Sequence, residues 1–110
     1  MGNGKTMDHS TLLLLSLLSS GDMYGYQMIT ELERRSESTF RMKEGTLYPI
    51  LKKLENGDYL TSYTQESGGR TRKYYHLTDK GAALLKKETE EWQSYARGID
   101  AVLGGAVVHA

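Results

Sequence analysis

The pattern that most constrains the fold is an amphipathic helix signal followed closely by a hairpin signal. Residues 44–56 carry apolar side chains at spacings of 3 and 4, which predicts a helix with one buried face. The inward positions are Leu47, Ile50, Leu51 and Leu54. Residues 59–65 and 71–77 are rich in Tyr and Thr and flank a Ser-Gly-Gly-Arg tip, which predicts two strands joined by a tight turn.

Two helices are predicted before this helix and hairpin. Residues 8–19 are apolar almost all the way round, so the first helix needs cover on two sides, and Gly21 is placed to end it in a left-handed cap. Asp22 can cap a second helix at about residues 23–35, because its side chain accepts hydrogen bonds from free backbone N–H groups. The inward face of that helix consists of Gly25, Met28, Ile29 and Leu32.

A long helix is predicted after the hairpin, at residues 79–103, with Thr78 as its cap. Its side chains form a stripe at alternating spacings of 3 and 4, which is typical of a coiled-coil seam. The stripe consists of Leu85, Glu88, Trp92, Tyr95, Ile99 and Val102. Glu88 departs from the apolar pattern, and Gly98 weakens the helix by roughly 1 kcal/mol relative to Ala. We expect this helix to contact a second copy of the chain.

Charge is segregated along the chain, although the formal net charge is zero. Residues 1–33 hold one base and four acids, residues 34–73 hold nine bases and five acids, and residues 74–110 hold four bases and five acids. Phosphates of nucleic acids are bound through Lys and Arg. The basic excess coincides with the predicted helix at 44–56 and the hairpin, which favours nucleic acid as the partner there and protein as the partner of the C-terminal end.

Composition and motifs exclude several classes of function. The 110 residues allow a single modest core. Without cysteine there can be no disulfide, thiolate metal site or thiol catalysis, which fits a reducing cytoplasm. The apolar run Leu12–Leu18 is too short to cross a membrane. His9, His76 and His109 are scattered and lack metal-ligand spacing, so we expect neither an enzyme nor a metal or other cofactor.

The element order of three helices, a hairpin and a last helix is that of a winged helix-turn-helix. Four runs of residues also closely resemble, in order and spacing, the PadR family of bacterial transcriptional regulators. They are Tyr24–Tyr26, Gly45–Leu51, Leu54–Leu60 and Gly69–Gly81. The resemblance covers about residues 8–103 and is closest to the small subfamily, which ends in a single dimerisation helix. It implies a homodimeric DNA-binding regulator.

The expected fold class is therefore α+β and mainly α. A winged helix-turn-helix DNA-binding domain at residues 8–77 is expected to be followed by a C-terminal dimerisation helix at residues 78–103. We expect residues 1–7 to be disordered and residues 104–110 to form a flexible tail.

Eight residues are expected to contact DNA. They are Lys43, Thr46, Tyr48, Lys52, Lys53, Arg70, Arg72 and Lys73. Tyr48 has two interpretations, a ring that pins the helix start or a groove contact, and the resemblance favours the second because the family's tyrosine lies on the DNA-facing side. The lysines could merely be solvated, but with the hairpin cations they would form one positive surface. Arg70, at the hairpin tip, suits the narrow minor groove.

Tyr74 and Tyr75 are neighbours in the second predicted strand, so their side chains point to opposite faces. We expect one of them to lie in the core and the other to pack under the predicted helix at residues 44–56, which would be the recognition helix of a winged helix-turn-helix.

Trp92 also has two interpretations, a hydrophobic anchor of the dimer helix or part of a ligand pocket. In multidrug-binding relatives, a tryptophan similarly placed pairs with its symmetry mate and holds flat aromatic ligands, so the resemblance implies a planar aromatic effector. The candidate residues for the dimer contact or this pocket are Leu12, Leu85, Trp92, Tyr95 and Ile99. Ala96 follows one turn after Trp92, so no acid there attracts a cationic ligand.

Together these features predict a cytoplasmic, sequence-specific transcriptional regulator, a ligand-responsive repressor whose homodimer binds double-stranded DNA at an inverted repeat. Its half-sites should lie roughly 10 base pairs apart, or a multiple of that, so that both recognition helices meet the same face of the duplex. The alternative is a winged-helix module that binds protein and not DNA, which the zero net charge and the five acids within residues 34–73 favour.

Overall fold

The computed structural model describes residues 9–104. In chain order its elements are α1 (Ser10–Ser19), β1 (Met23–Tyr24), α2 (Gly25–Arg35), α3 (Glu44–Asn56), β2 (Leu60–Ser67), β3 (Arg70–Leu77) and α4 (Asp79–Val102). Within this range, the helices and one small antiparallel sheet confirm the expected mainly α class and the winged-helix architecture. The disorder expected for residues 1–7, and the tail expected after residue 104, lie outside the described residues.

α1 lies at the centre of the hydrophobic core, in contact with α2, α4 and β3. The buried core residues are Leu14, Leu15, Leu17, Leu18, Met23, Met28, Leu32, Met42, Leu47, Leu51, Leu54, Leu60 and Tyr75. Those from α1 occupy more than one side of the helix, so the expectation that this apolar helix needs cover on two sides is confirmed. After the helix ends, Gly21 adopts a positive φ of 151°, a backbone conformation that favours glycine.

The start of α2 differs from the sequence prediction. Met23 and Tyr24 form a short strand, in which Met23 pairs with Tyr75 and Tyr24 with Tyr74 of β3. Tyr24 has an extended backbone and is the residue that precedes α2, so the prediction that Asp22 caps this helix is wrong. Two residues are too few to show the alternation of a strand, and this pairing depends on a partner far along the chain.

α3 spans the predicted residues 44–56. Its inward side chains are buried or partly buried, as the periodicity predicted: Leu47, Ile50, Leu51 and Leu54. Pro49 lies inside the helix, so the hydrogen bond that residue 49 would otherwise donate to the carbonyl of Gly45 is absent. The buried leucines hold the helix in place despite this missing bond.

β2 and β3 form the wing (residues 60–77) and pair along their whole length. Gly68 and Gly69 make the turn between them, with φ of 61° and 80°. Two consecutive positive φ angles match the twist of a two-residue hairpin and are adopted readily by glycine. β3 is the central strand of the sheet, in the order β1-β3-β2.

The two faces of the wing differ in character. Tyr75 points into the core and is only 4% exposed. Tyr74 points the opposite way, with its ring centroid 5.4 Å from that of Tyr24 and 5.6 Å from that of Tyr63. The expectation that the second tyrosine packs under α3 is therefore wrong, because β1 adds Tyr24 to the outer face of the sheet and the ring of Tyr74 packs there.

α4 begins at the predicted cap, where Thr78 Oγ1 accepts a hydrogen bond from the backbone N–H of Gly81 at 3.0 Å. Gly81 is buried, and a side chain there would overlap the carbonyl group of Tyr59. Farther along, α4 projects from the domain. The radius of gyration is 15.8 Å and the longest extent is 53 Å, whereas a compact chain of about 100 residues has a radius of gyration of roughly 13 Å.

Candidate nucleic-acid interface

α3 presents a solvent-facing surface opposite its buried leucines. This basic face of α3 consists of Lys43, Thr46, Tyr48, Lys52 and Lys53, all of which are exposed. Within residues 9–104, its three lysines form neither an ion pair nor a side-chain hydrogen bond. Their positive charge is therefore available to an anionic partner.

Tyr48 joins the basic face of α3 to α2. Its hydroxyl and ring end occupy the space beside Gly25, where a side chain would overlap them. Partial burial raises the pKa of the Tyr48 phenol, and the neighbouring Glu44 and Tyr75 raise it further. The residue is nevertheless 42% exposed. The ring thus pins α3 against α2 and still leaves part of its surface open, so the two interpretations of this tyrosine are compatible.

The connection between α2 and α3 occupies residues 36–43, which is longer than the turn of three or four residues in a simple helix-turn-helix. Ser36 Oγ accepts a hydrogen bond from the backbone N–H of Phe40 at 3.0 Å. Met42, just before α3, is buried in the core. A local hydrogen bond and a buried side chain therefore hold the connection that leads into α3.

The three cations predicted on the wing lie in different environments. Arg70 is exposed near the tip and forms no ion pair with any described residue. The guanidinium carbon of Arg72 lies 4.2 Å from the centroid of the Tyr24 ring, and its buried Nε lacks a hydrogen-bond partner among residues 9–104. Lys73 lies on the other face of the sheet, with its Nζ 3.7 Å from Oε1 of Glu55. Of these three, Arg70 is the most available to a ligand.

Glu55, in the last turn of α3, connects this helix to the wing. Its Oε2 accepts a hydrogen bond from Ser62 Oγ of β2 at 2.6 Å, while Oε1 faces Lys73 of β3. One side chain thus contacts both wing strands and orients the wing relative to the basic face of α3. Sequence reasoning missed Glu55 because its partners could be identified only once the strand register and the packing of the sheet on α3 were known.

A cleft lies between the wing tip and the N-terminal end of α3. It is lined by Tyr24, Tyr26, Glu44, Arg70 and Arg72. The two arginines were predicted as DNA contacts, whereas Tyr24 and Tyr26 were noted only as part of a family-like run and Glu44 only as the start of a predicted helix. The wing tip and the first turn of α3 therefore lie close enough to contact one ligand together.

Asp22, the residue before β1, contacts two side chains on the outer face of the wing. One carboxylate oxygen accepts a hydrogen bond from the Tyr63 hydroxyl at 2.7 Å, and the other lies 2.8 Å from Nδ1 of His76. The Tyr63 hydroxyl holds the pKa of Asp22 below its ordinary value, with His76 acting in the same direction against the effect of partial burial.

Across residues 9–104, no group of three or more His, Asp or Glu side chains is arranged to hold a metal ion.

α4 carries an apolar surface that the described chain leaves partly exposed. Trp92, Tyr95 and Ile99 are between 40% and 49% exposed. Leu12 of α1 and Leu85 of α4, the other candidates for the dimer contact or the effector pocket, are half-buried, and their two helices pack against each other. A shallow apolar groove continues toward the end of the helix and is lined by Tyr95, Gly98, Ile99, Val102 and Leu103.

Trp92 lies within an aromatic cluster at the junction of α1 and α4. Its ring meets the ring of His9 edge-on at 4.9 Å and lies 5.9 Å from the ring of Tyr95. His9 was not among the residues predicted for this site, because an isolated histidine before a helix carries no signal of its neighbours.

Of the helices that the structure describes, none is both long enough and apolar enough to cross a bilayer.

Known proteins resemble the chain in sequence. The profile of the "Transcriptional regulator PadR-like family" matches residues 14–87. A protein of Lysinibacillus sphaericus, "Uncharacterized protein X", is 34% identical over 98 residues, which cover 88% of this chain and 90% of the relative. The transcriptional regulator Rv3488 of Mycobacterium tuberculosis is 33% identical over 94 residues, or 86% of this chain and 82% of that protein. The chain spans only 45% of the longer transcriptional regulator YqjI of Escherichia coli, at 29% identity.

Solved structures of other proteins also resemble the chain. A PadR family transcription regulator from Clostridium difficile superposes with a TM-score of 0.76 at 34% identity, covering 86% of this chain and 98% of that one. The protein smu.1704 from Streptococcus mutans superposes with a TM-score of 0.75 at 45% identity, covering 91% of each chain. The chain therefore belongs to the PadR-like family of transcriptional regulators, which are DNA-binding proteins and not enzymes.

Proposed function

We propose that the protein is a cytoplasmic repressor whose homodimer binds an inverted-repeat operator, with α3 in the major groove and the wing on the adjacent backbone or minor groove. The observation that carries this proposal is the set of available cations on α3 and the wing tip. Among residues 9–104, Lys43, Lys52 and Lys53 of the basic face have no ion-pair partner, and neither has Arg70. Lys and Arg side chains without an acidic partner are the groups that bind phosphates and release counterions.

The contacts of the wing cations divide the proposed DNA-binding residues into two groups. We assign phosphate or groove contact first to Lys52, Lys53 and Arg70, with Lys43, Thr46 and Tyr48 beside them. Arg72 is stacked on Tyr24 and Lys73 faces Glu55, so these two cations mainly orient the wing. They contact DNA through the part of their positive charge that these neighbours do not balance.

The proposed dimer uses the exposed apolar surface of α4. A helix of 24 residues is about 36 Å long at 1.5 Å per residue, enough to separate two winged-helix domains by roughly one turn of DNA. Trp92, Tyr95 and Ile99 leave large apolar areas in water in the single chain. Burying such surfaces against a second copy is favourable in proportion to the area removed from water.

The proposed effector is a planar aromatic molecule that binds beside Trp92 at the dimer centre. The exposed indole and the neighbouring ring of Tyr95 support this, since aromatic pairs favour stacked or edge-on contacts with a flat ligand. A ligand that prefers a dimer with a different spacing of the two domains weakens DNA binding by as much as it prefers that state. The coupling is reciprocal, so DNA must weaken ligand binding equally.

The DNA proposal is tested by fluorescence anisotropy with a labelled duplex from the region upstream of the protein's own gene, titrated over a range of salt concentrations. We expect affinity to fall steeply with salt, and the slope to decrease by roughly one for each phosphate-binding cation that is replaced. Lys52→Ala combined with Arg70→Ala should weaken binding to every sequence. Lys87→Ala, which removes an exposed cation from α4, is the matched control.

Two outcomes would contradict the proposal. Binding unchanged in the double variant would remove the phosphate-contact assignment of these residues. No salt-dependent binding to any duplex would favour the alternative, a winged-helix module that binds another protein.

The effector proposal is tested through the single tryptophan of the chain. A planar tricyclic dye should quench or shift the emission of Trp92, and saturating operator DNA should lower the affinity for the dye. An emission spectrum that does not respond to planar aromatic compounds would contradict an effector site at this position. The dimer proposal would survive that result, because it depends on subunit association and not on the ligand.

A further inference from the structure

Glu44 is an acid at the leading end of the basic face of α3. It is the first residue of the helix, it is exposed, and it lines the cleft with Arg70 and Arg72. Despite these neighbours it forms no hydrogen bond or ion pair with any described residue. A carboxylate in this place is not an ordinary surface charge, because the proposed partner is a polyanion.

The position of Glu44 corresponds to where base contacts are made. In helix-turn-helix proteins the N-terminal residues of the recognition helix contact base edges, while flanking cations contact phosphates. Tyr48 and Lys52 follow Glu44 at intervals of four residues, so the three side chains form one row along the same face of α3. The effect of Glu44 on the pKa of Tyr48 agrees with this proximity.

An ionised carboxylate can only accept hydrogen bonds, which restricts the bases it can satisfy. In the major groove guanine presents two acceptors and thymine presents an acceptor and a methyl group. Adenine has a donor amine, but the acceptor N7 lies beside it and repels a carboxylate. Cytosine offers its N4 amine as a donor, and carboxylates commonly accept a hydrogen bond from that group.

We propose that Glu44 is a specificity-determining residue whose carboxylate accepts a hydrogen bond from the N4 amine of one cytosine in each half-site. The inference rests on the proposed insertion of α3 into the major groove. It adds the chemistry by which one position of the operator is read. The role of an acid in stabilising the first turn of a helix is the competing explanation that the experiment must separate.

The test is selection of binding sites from a pool of randomised duplexes by the full-length protein, followed by sequencing and titration of the enriched site. We expect the wild type to enrich cytosine at one position, repeated symmetrically in the two half-sites. Replacing that cytosine should weaken wild-type binding roughly five-fold or more. Glu44→Gln should lose this preference and tolerate all four bases better, or turn toward adenine, which the glutamine side chain recognises.

Glu90→Gln is the matched control, because it removes an exposed acid of the same charge from α4. It should preserve the cytosine preference. Thermal unfolding of both variants measures any effect on helix stability separately from base preference.

Three outcomes would overturn the inference. If Glu44→Gln binds all sequences more tightly with an unchanged preference, the acid only repels phosphate. If the preference is unchanged and only thermal stability falls, the acid only stabilises the helix start. If the wild type enriches no sequence at all, the proposed DNA function fails and the inference fails with it, whereas either of the first two outcomes overturns the inference alone.

Discussion

The hydroxyl and ring end of Tyr48 fill the space that a side chain on Gly25 would occupy. Gly25 is the first residue of α2 and directly follows β1, while Tyr48 lies on the basic face of α3. The close approach of these two residues therefore couples the place where α2 starts to the orientation of a side chain proposed to meet DNA.

Gly25→Ala should displace the Tyr48 ring and lower the free energy of unfolding by about 1 kcal/mol, because steric overlap outweighs the better helix propensity of alanine. Urea denaturation of the wild type and the variant measures this change. In a Tyr48→Ala background the same substitution should be neutral or stabilising, since the overlapping ring is gone. Equal costs in the two backgrounds would show that the two residues are not coupled.

Glu55→Ala should loosen the wing from α3. The variant lacks the hydrogen bond from Ser62 and the ion pair with Lys73, and the expected cost is about 1 kcal/mol, since both groups are partly exposed. Urea denaturation measures the cost. Glu66→Ala is the control, because this exposed acid of β2 has no partner among the described residues and should change stability by less than about 0.5 kcal/mol. Similar destabilisation in the two variants would contradict the role assigned to Glu55.

Gly81→Ala should destabilise the fold by about 2 kcal/mol, because the new methyl group overlaps the backbone carbonyl of Tyr59, which cannot rotate away. Thermal unfolding measures the effect. Gly45→Ala, at an exposed position of α3 with open space around it, is the control and should leave the melting temperature unchanged or raise it. A harmless Gly81→Ala would mean that the start of α4 packs less closely than described.

Tyr63→Phe should make stability depend less on pH. The pKa of Asp22 lies below its ordinary value of 3.8 chiefly because the Tyr63 hydroxyl donates to the carboxylate. A depressed folded-state pKa contributes stability above the unfolded value, and that contribution is lost as pH falls through the folded value. The variant should therefore be less stable than the wild type near neutral pH, and the difference should shrink in acid below about pH 4.

Urea denaturation at a series of pH values measures this convergence. Tyr26→Phe is the control, since the Tyr26 hydroxyl is exposed and has no hydrogen bond within the described chain, so its difference from the wild type should not vary with pH. A pH-independent destabilisation in Tyr63→Phe would contradict the role of the hydroxyl.

Local periodicity predicted much of this fold from the sequence. α3 was predicted at 44–56 and found there, because apolar side chains recurring at helical spacing define a buried face without reference to the rest of the chain. The Gly-Gly turn of the wing and the cap at Thr78 were predictable for the same reason, since each depends on neighbours a few residues away. β1 was missed because its two residues become a strand only by pairing with β3.

The candidate site was only partly predictable. The lysines of α3 occupy the outward positions of an amphipathic helix, so Lys52 and Lys53 could be recognised as exposed cations from the sequence. The environments of Arg72 and Lys73 could not, because the two residues are adjacent in the sequence but lie on opposite faces of the sheet. One is stacked on Tyr24 and the other faces Glu55.

The amino-acid sequence by itself determined the number and order of the helices, the place of the hairpin and the family to which the chain belongs. Each of these depends on patterns within a short stretch of residues. The tertiary structure decided which of the described cations have acidic or aromatic partners, and it placed Glu44, Arg70 and Arg72 around one cleft. Such contacts join segments far apart in the chain, so they depend on strand register and helix packing, which local patterns do not specify.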